Sequence, residues 1–151
     1  MSMTSHVWIT SGAALAGLAV VAGAFGAHGL DRYFAEKYAT AAARSIGGLD
    51  VPASYKALDD FKTAARYQMY HALGLIAVGL VAAIRGPTKP LTIAAWLFVG
   101  GIVLFSGGLY LYTLTGQRFW GVGPPPIGGL LFIVGWIALA IGACPCTRHW
   151  A

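Results

Sequence analysis

The stretch VWITSGAALAGLAVVAGAFGA, Val7–Ala27, carries no charged side chain from end to end. A helix rises about 1.5 Å per residue, so such a run is long enough to cross the roughly 30 Å hydrocarbon core of a bilayer. A core helix of that length in a water-soluble domain would keep a polar face. This one has none, so lipid is its expected surroundings. Gly12, Ala16, Gly17, Gly23, Gly26 and Ala27 predict a surface on which a second helix can pack closely. The run ends in small residues, as a secretory signal does, but no Lys or Arg precedes it. It is therefore expected to be a retained first span.

The same reading repeats along the chain, which is 58% hydrophobic and only 10% charged over 151 residues. An ordinary soluble domain carries about 25% charged residues, and so few charges could not cover a soluble surface. The fold class expected is all-α: one membrane domain over 1–151, a four-helix bundle with spans at about 7–28, 66–84, 91–114 and 127–143. Arg85, Gly86, Pro87, Thr88, Lys89 and Pro90 make a short charged turn between the second and third spans. Gly100, Gly101, Gly107 and Gly108 in the third span and Gly128 and Gly129 in the fourth read as packing surfaces rather than phosphate cradles, because they lie within apolar runs. Trp96, Tyr110 and Tyr112 add aromatic weight to the third span, the outer ones near an interface. Three successive prolines, Pro124–Pro126, keep the connection from Thr115 to Pro126 from being helical throughout.

Between the first two spans the composition changes. All five acids (Asp31, Glu36, Asp50, Asp59, Asp60) and six of the ten basic residues lie between Gly29 and Arg66. An amphipathic helical insertion over about 30–65 is predicted, lying on the membrane surface or over the mouth of the bundle. Within it, Asp31–Ser45 reads as one helix ending at Gly47 and Gly48, with Tyr33, Phe34, Tyr38 and Ala41 on its apolar side. Asp50 and Pro52 then read as the cap and first-turn proline of a second helix, which runs without a break into the second span. The net charge of +5 is scattered and suits anionic headgroups better than nucleic acid. A positive-inside count puts the first loop in the cytoplasm, but the turn with Arg85 and Lys89 is short and purely basic, and sidedness stays open.

Several stretches together resemble one family. GAFGAHG (Gly23–Gly29) closes the first span, RYQMYHA (Arg66–Ala72) opens the second, LFSGGLY (Leu104–Tyr110) with Thr115 and Gly116 lies in the third, and PIGG (Pro126–Gly129) with Gly135 and Trp136 lies in the fourth. The pattern is similar to the small membrane proteins grouped as domain of unknown function 423, which include eukaryotic transmembrane protein 256. The resemblance covers nearly the full length in order. It implies a four-helix protein of the bacterial inner membrane with no established reaction, substrate or cofactor. The stretch from about Tyr38 to Lys56 is longer than in compact members, and the Cys-Pro-Cys tail lies outside the pattern.

The candidate site is a polar cluster of His28, Arg66, Tyr67, Gln68, Tyr70 and His71. An antiparallel hairpin of the first two spans would bring His28 and His71 toward the same membrane face, and ionisable groups near lipid are costly enough to mark a site. The competing reading, and the favoured one, is that these groups bond one another and anchor the loop. A haem held by the two histidines is disfavoured, since they differ in depth and the resemblance brings no haem. Cys144, Cys146 and His149 offer soft-metal ligands, but three in one short tail are an incomplete set. Asp59 and Asp60, beside Lys56 and Lys62, read as solvated ion pairs.

No catalytic constellation is evident, and no cofactor is expected. The function expected is that of a non-enzymatic accessory or structural subunit, in contact with lipid and with a membrane-protein partner or a second copy of itself. The alternative is a small transporter, channel or ligand-binding protein using His28, Arg66 and His71, against which stands the apolar middle of every span.

Overall fold

The structure, a computed structural model, describes residues 3–144, with side chains from Ser5 onward. Four helical spans account for most of it. The first, α1 (Met3–His28), is followed by a short helix α2 (Leu30–Lys37), a two-stranded hairpin of β1 (Arg44–Ile46) and β2 (Leu49–Val51), and the 33-residue α3 (Ala53–Arg85). The third span runs from Lys89 to Thr115 as α4 (Lys89–Gly101), a π-helical segment (Ile102–Ser106) and α5 (Gly107–Thr115). A short α6 (Arg118–Val122) leads into the fourth span, α7 (Pro124–Ala143). The chain is thus an all-α membrane bundle with an amphipathic insertion, and little sheet.

The bundle is built from two glycine-fitted antiparallel pairs. Where α1 meets α3, a Cβ on Gly12 would lie 2.8 Å from the Ala72 carbonyl oxygen, and one on Gly79 would lie 2.9 Å from that of Ser5. Only hydrogen leaves room for backbones at that separation, which is how small residues let membrane helices gain dispersion contact over a long seam. Where the third span meets α7, Gly128 rests against the backbone nitrogen of Phe105, Gly135 receives the Phe98 ring and Gly142 receives Leu91. The pairs join along α3, whose Leu75 and Val78 share a core with Leu91, Ala94, Ala95, Phe98 and Phe132.

The π segment divides the third span, which the sequence predicts as one regular helix. Its extra residue in the turn rotates the remainder of the span about its axis. Before it, Phe98 and Gly101 serve the α7 interface; after it, Tyr110 turns to α3. Ser106, inside it, is fully buried, and its hydroxyl oxygen has no hydrogen-bond partner among the described residues.

The insertion differs most from expectation. Its amphipathic helix buries Phe34 but ends at Lys37, not near Ser45. Ala39–Ala43 is exposed and has no large apolar side chain to bury, whereas stopping at Lys37 lets Tyr38 bond across to the third span. Gly47 and Gly48 do not end a helix. Both have positive φ, 59° and 84°, and they turn a hairpin in which Ile46 pairs with Leu49 and Ser45 with Asp50. Two successive positive φ values are the requirement of a type I′ turn, which suits the twist of the strands. Asp50 therefore belongs to a strand and caps nothing; Pro52 occupies the cap position of α3 and Ala53 begins it. From there α3 is continuous through Arg66 and His71, as expected.

The insertion covers one end of the bundle. A helix leaves its last carbonyls without partners, and at the end of α5 the insertion supplies them. Tyr38 Oη donates to the Thr113 oxygen at 2.9 Å, and Lys37 Nζ donates to the Leu114 oxygen at 2.9 Å. Gly116, with φ of 77°, closes α5 in the left-handed conformation and donates to the Tyr112 oxygen.

Candidate functional site

Level along the α1–α3 pair can be read from its contacts. Gly26 lies beside Phe61 and Lys62, the Leu15 carbonyl accepts from Gln68, and Gly12 lies on Ala72 and Ile76. His71 is therefore level with the turn around Gly12 to Leu15. His28 lies 13 residues beyond Leu15, roughly 20 Å along the axis. The two histidines do not share a membrane face: His28 is exposed at the end of α1, and His71 is buried at mid-bundle. A single iron could not join them.

The remaining members of the cluster divide around α3. Arg66 and Tyr70 point outward. The Arg66 guanidinium donates to Thr63 Oγ1 at 3.0 Å, lies 3.6 Å from Asp59 Oδ1, and lines a groove between α1 and α3. Tyr70 is exposed, its ring 6.0 Å from that of Tyr67. Tyr67 is partly exposed and leans on Phe105 at 4.7 Å between ring centres.

Gln68 and His71 face the interior. Gln68 Nε2 donates to the Leu15 oxygen at 2.9 Å, and its Oε1 accepts from Tyr110 Oη at 3.2 Å. One amide thus ties α1, α3 and α5 together in a low-dielectric setting where an unpaired amide would be costly. Tyr110 was legible in sequence only as aromatic weight; its inward turn comes from the π segment.

His71 Nδ1 lies 2.7 Å from the Tyr67 carbonyl oxygen. A carbonyl can only accept, so Nδ1 carries the proton. The imidazole lies flat on Phe132, with centroids 3.3 Å apart and planes 6° apart, and Phe98 and Trp136 stand 5.6 and 6.1 Å away. No carboxylate among the described residues pairs with this ring. Its surroundings are those of a packed aromatic box joining α3, the third span and α7. Sequence reading missed Phe98 and Phe132 because nothing local distinguishes them from other lipid-span aromatics, and it has Trp136 only as part of the family pattern.

The glycines also separate by use. Gly12, Gly26, Gly100, Gly101, Gly108 and Gly128 fit against neighbours within the bundle. The third span therefore has little small-residue face to spare beyond Gly107, which, like Gly129 on α7, touches almost nothing. Gly17 and Gly23 on α1 have nothing within 4 Å of where a Cβ would stand. Cys146 and His149 lie outside the described residues. Among those described, no group of three His, Cys, Asp or Glu is close enough to hold a metal ion.

Among known proteins, the family profile described as protein of unknown function (DUF423) matches residues 22–129. A UPF0382 membrane protein of Staphylococcus saprophyticus is 42% identical over 137 residues, covering 90% of this chain and 95% of that protein. The UPF0382 membrane protein YwdK of Bacillus subtilis is 39% identical, covering 91% and 95%. A UPF0382 membrane protein of Haemophilus influenzae is 37% identical, covering 86% and 88%. No solved structure matches. With four apolar spans, a family profile matched over residues 22–129 and 37–42% identity to these relatives over most of their length, the chain belongs to the DUF423 family of integral membrane proteins of unknown function.

Proposed function

We propose that this protein is a non-enzymatic accessory subunit of the bacterial inner membrane, which docks a transmembrane helix of a partner protein on the outer face of α1. The observation that carries the reading is the contrast between two exposed faces. On α1, the small residues Ala13, Gly17, Ala24 and Ala27, with Val20 between them, are exposed at spacings of four, three, four and three, beside the bulkier exposed Leu18, Val21 and Phe25. On α7 the exposed residues are bulky: Ile127, Leu130, Ile133, Val134, Ile137 and Ile141. Lipid tails gain as much from a bulky face as from any, whereas a row of small side chains suits the close approach of a second helix. Within the protein α1 packs chiefly on α3, leaving this row uncovered. The relatives' names support membrane residence and add no partner.

A transporter or ligand-binding role for His28, Arg66 and His71 is the weaker reading, because the three are at different depths and His71 is enclosed by aromatic rings. The test is co-purification of tagged protein from membranes in mild detergent, with Gly17→Leu and Ala24→Leu as variants. A stoichiometric membrane-protein partner is expected with the native chain and lost with either variant, while thermal stability is unchanged. A bare monomer from the native chain, or a homodimer only, rejects the partner.

A further inference from the structure

The end of the bundle covered by the insertion holds a recess of about 490 Å³, within the range of small-ligand clefts. Three elements line it with cations: Arg44 from β1, Lys56 from the first turn of α3, and, from much later in the chain, Arg118 at the start of α6. The acid lining it, Asp60, is paired with Lys56 one turn earlier on the same helix. The charges of Arg44 and Arg118 are thus left uncompensated by any ion pair among the described residues. Arg44 Nη2 donates to Tyr112 Oη at 2.5 Å, and its guanidinium carbon stands 5.9 Å from the Tyr112 ring centre. Because that phenol oxygen accepts from arginine, its own hydrogen is available to donate elsewhere. Gly121 permits the arrangement. A Cβ there would stand 2.9 Å from the Tyr112 ring, so only glycine lets α6 lie against it and bring Arg118 to the recess.

We propose that this recess binds a phosphoryl group, with the Arg44 and Arg118 guanidinium groups as charge partners and Tyr112 as an added donor. Guanidinium groups match phosphate oxygens in geometry and can hold two of them at once, which a lysine ammonium does not. The recess sits at the end of a membrane span, where the phosphate of an anionic phospholipid and that of a soluble phosphate ester both have access. The inference is independent of the partner surface on α1, which is on a different element.

The test uses the full chain in a neutral maltoside detergent. Native mass spectrometry counts bound phosphatidylglycerol and phosphatidylcholine, and calorimetry measures glycerol 3-phosphate in lipid-free samples. Phosphatidylglycerol is expected to bind about tenfold more tightly than phosphatidylcholine. Arg118→Gln and Arg44→Gln are each expected to weaken it about fivefold, as one basic residue near a membrane surface would. Lys89→Gln, at the other end of the bundle, leaves it unchanged. Arg118 has no hydrogen-bond or ion-pair partner of its own among the described residues, so its variant tests the site even if Arg44→Gln loosens the hairpin. Glycerol 3-phosphate that binds and displaces the lipid assigns the site to a soluble ester; failure to bind assigns it to lipid. Equal binding of both lipids with no binding of glycerol 3-phosphate overturns the proposal. So does undiminished binding in Arg118→Gln, or an equal loss in Lys89→Gln.

Discussion

Replacing Gly79 and Gly17 separately by alanine puts the glycine-fitted bundle to a direct test. At Gly79 an added methyl would stand 2.6 Å from Ile9 Cγ1, 2.9 Å from the Ser5 oxygen and 3.0 Å from the Ile9 nitrogen. Two of those three atoms are backbone, so no rotamer change relieves the clash and α1 must move away from α3. At Gly17 the same methyl meets nothing within 4 Å. Spanning helices keep their internal hydrogen bonds even when a bundle comes apart in detergent or lipid. Helix propensity therefore nearly cancels, and the steric term remains. Overpacking costs about 1–3 kcal/mol. At about 2–4 °C per kcal/mol for a chain of this size, Gly79→Ala should lower the melting temperature by about 2–12 °C. Gly17→Ala should leave it within about a degree. Thermal unfolding followed by size-exclusion of a fluorescent fusion in maltoside detergent reads both. If Gly79→Ala melted with the native chain, or Gly17→Ala fell as far, close backbone contact would not be what joins α1 to α3.

Other perturbations test other parts. Gln68→Leu removes the tie between Leu15 and Tyr110 and should cost about 0.6–1.7 kcal/mol, the range for hydrogen bonds between membrane helices. Tyr110→Phe on that background should add almost nothing, and a double-mutant cycle in denaturant would show the coupling. Ser106→Ala removes a buried hydroxyl that has no partner among the described residues and should be neutral or stabilising by up to about 1 kcal/mol in the same unfolding assay. Burial, aided by the Tyr112 and Tyr33 phenols, pushes the Tyr38 phenol above its ordinary value of 10.0, with Arg44 pulling the other way. An acid whose folded pKa is raised keeps its full contribution below pH 10 and loses it as pH rises through the folded value. The protection of α2 amides, measured against the intrinsic base-catalysed rate, should therefore fall above pH 10, and Tyr38→Phe should lose that fall along with the bond to Thr113; a protection profile unchanged by the substitution would refute the assignment. Gly47→Val places a branched side chain at φ of 59° and should unpair the hairpin, seen as faster exchange at the Ile46 and Leu49 amides, with the spans unaffected.

The sequence by itself determined the solvent and, through it, the architecture. Uncharged runs such as Val7–Ala27 gain too little from water to stay in it, and in lipid a lone segment can satisfy its backbone only as a helix. That argument uses only residues next to one another, so four spans and the continuity of α3 through Arg66 and His71 were legible in advance. The hairpin is not in the sequence reading, which gives Gly47 and Gly48 to a helix end; a Gly-Gly pair is equally the signal of a two-residue hairpin turn, and only the pairing of Ile46 with Leu49 decides between them. The tertiary structure decided which polar groups meet. His28 and His71 look alike in sequence, but the level at which α1 lies on α3, fixed by Gly12 and Gly79, puts them roughly 20 Å apart. The turn of Tyr110 toward Gln68 depends on one extra residue in a π turn, and the meeting of Arg44 with Arg118 depends on a hairpin folding over a helix end more than sixty residues away. Contacts between distant segments are set by packing of whole elements, and no local pattern encodes them.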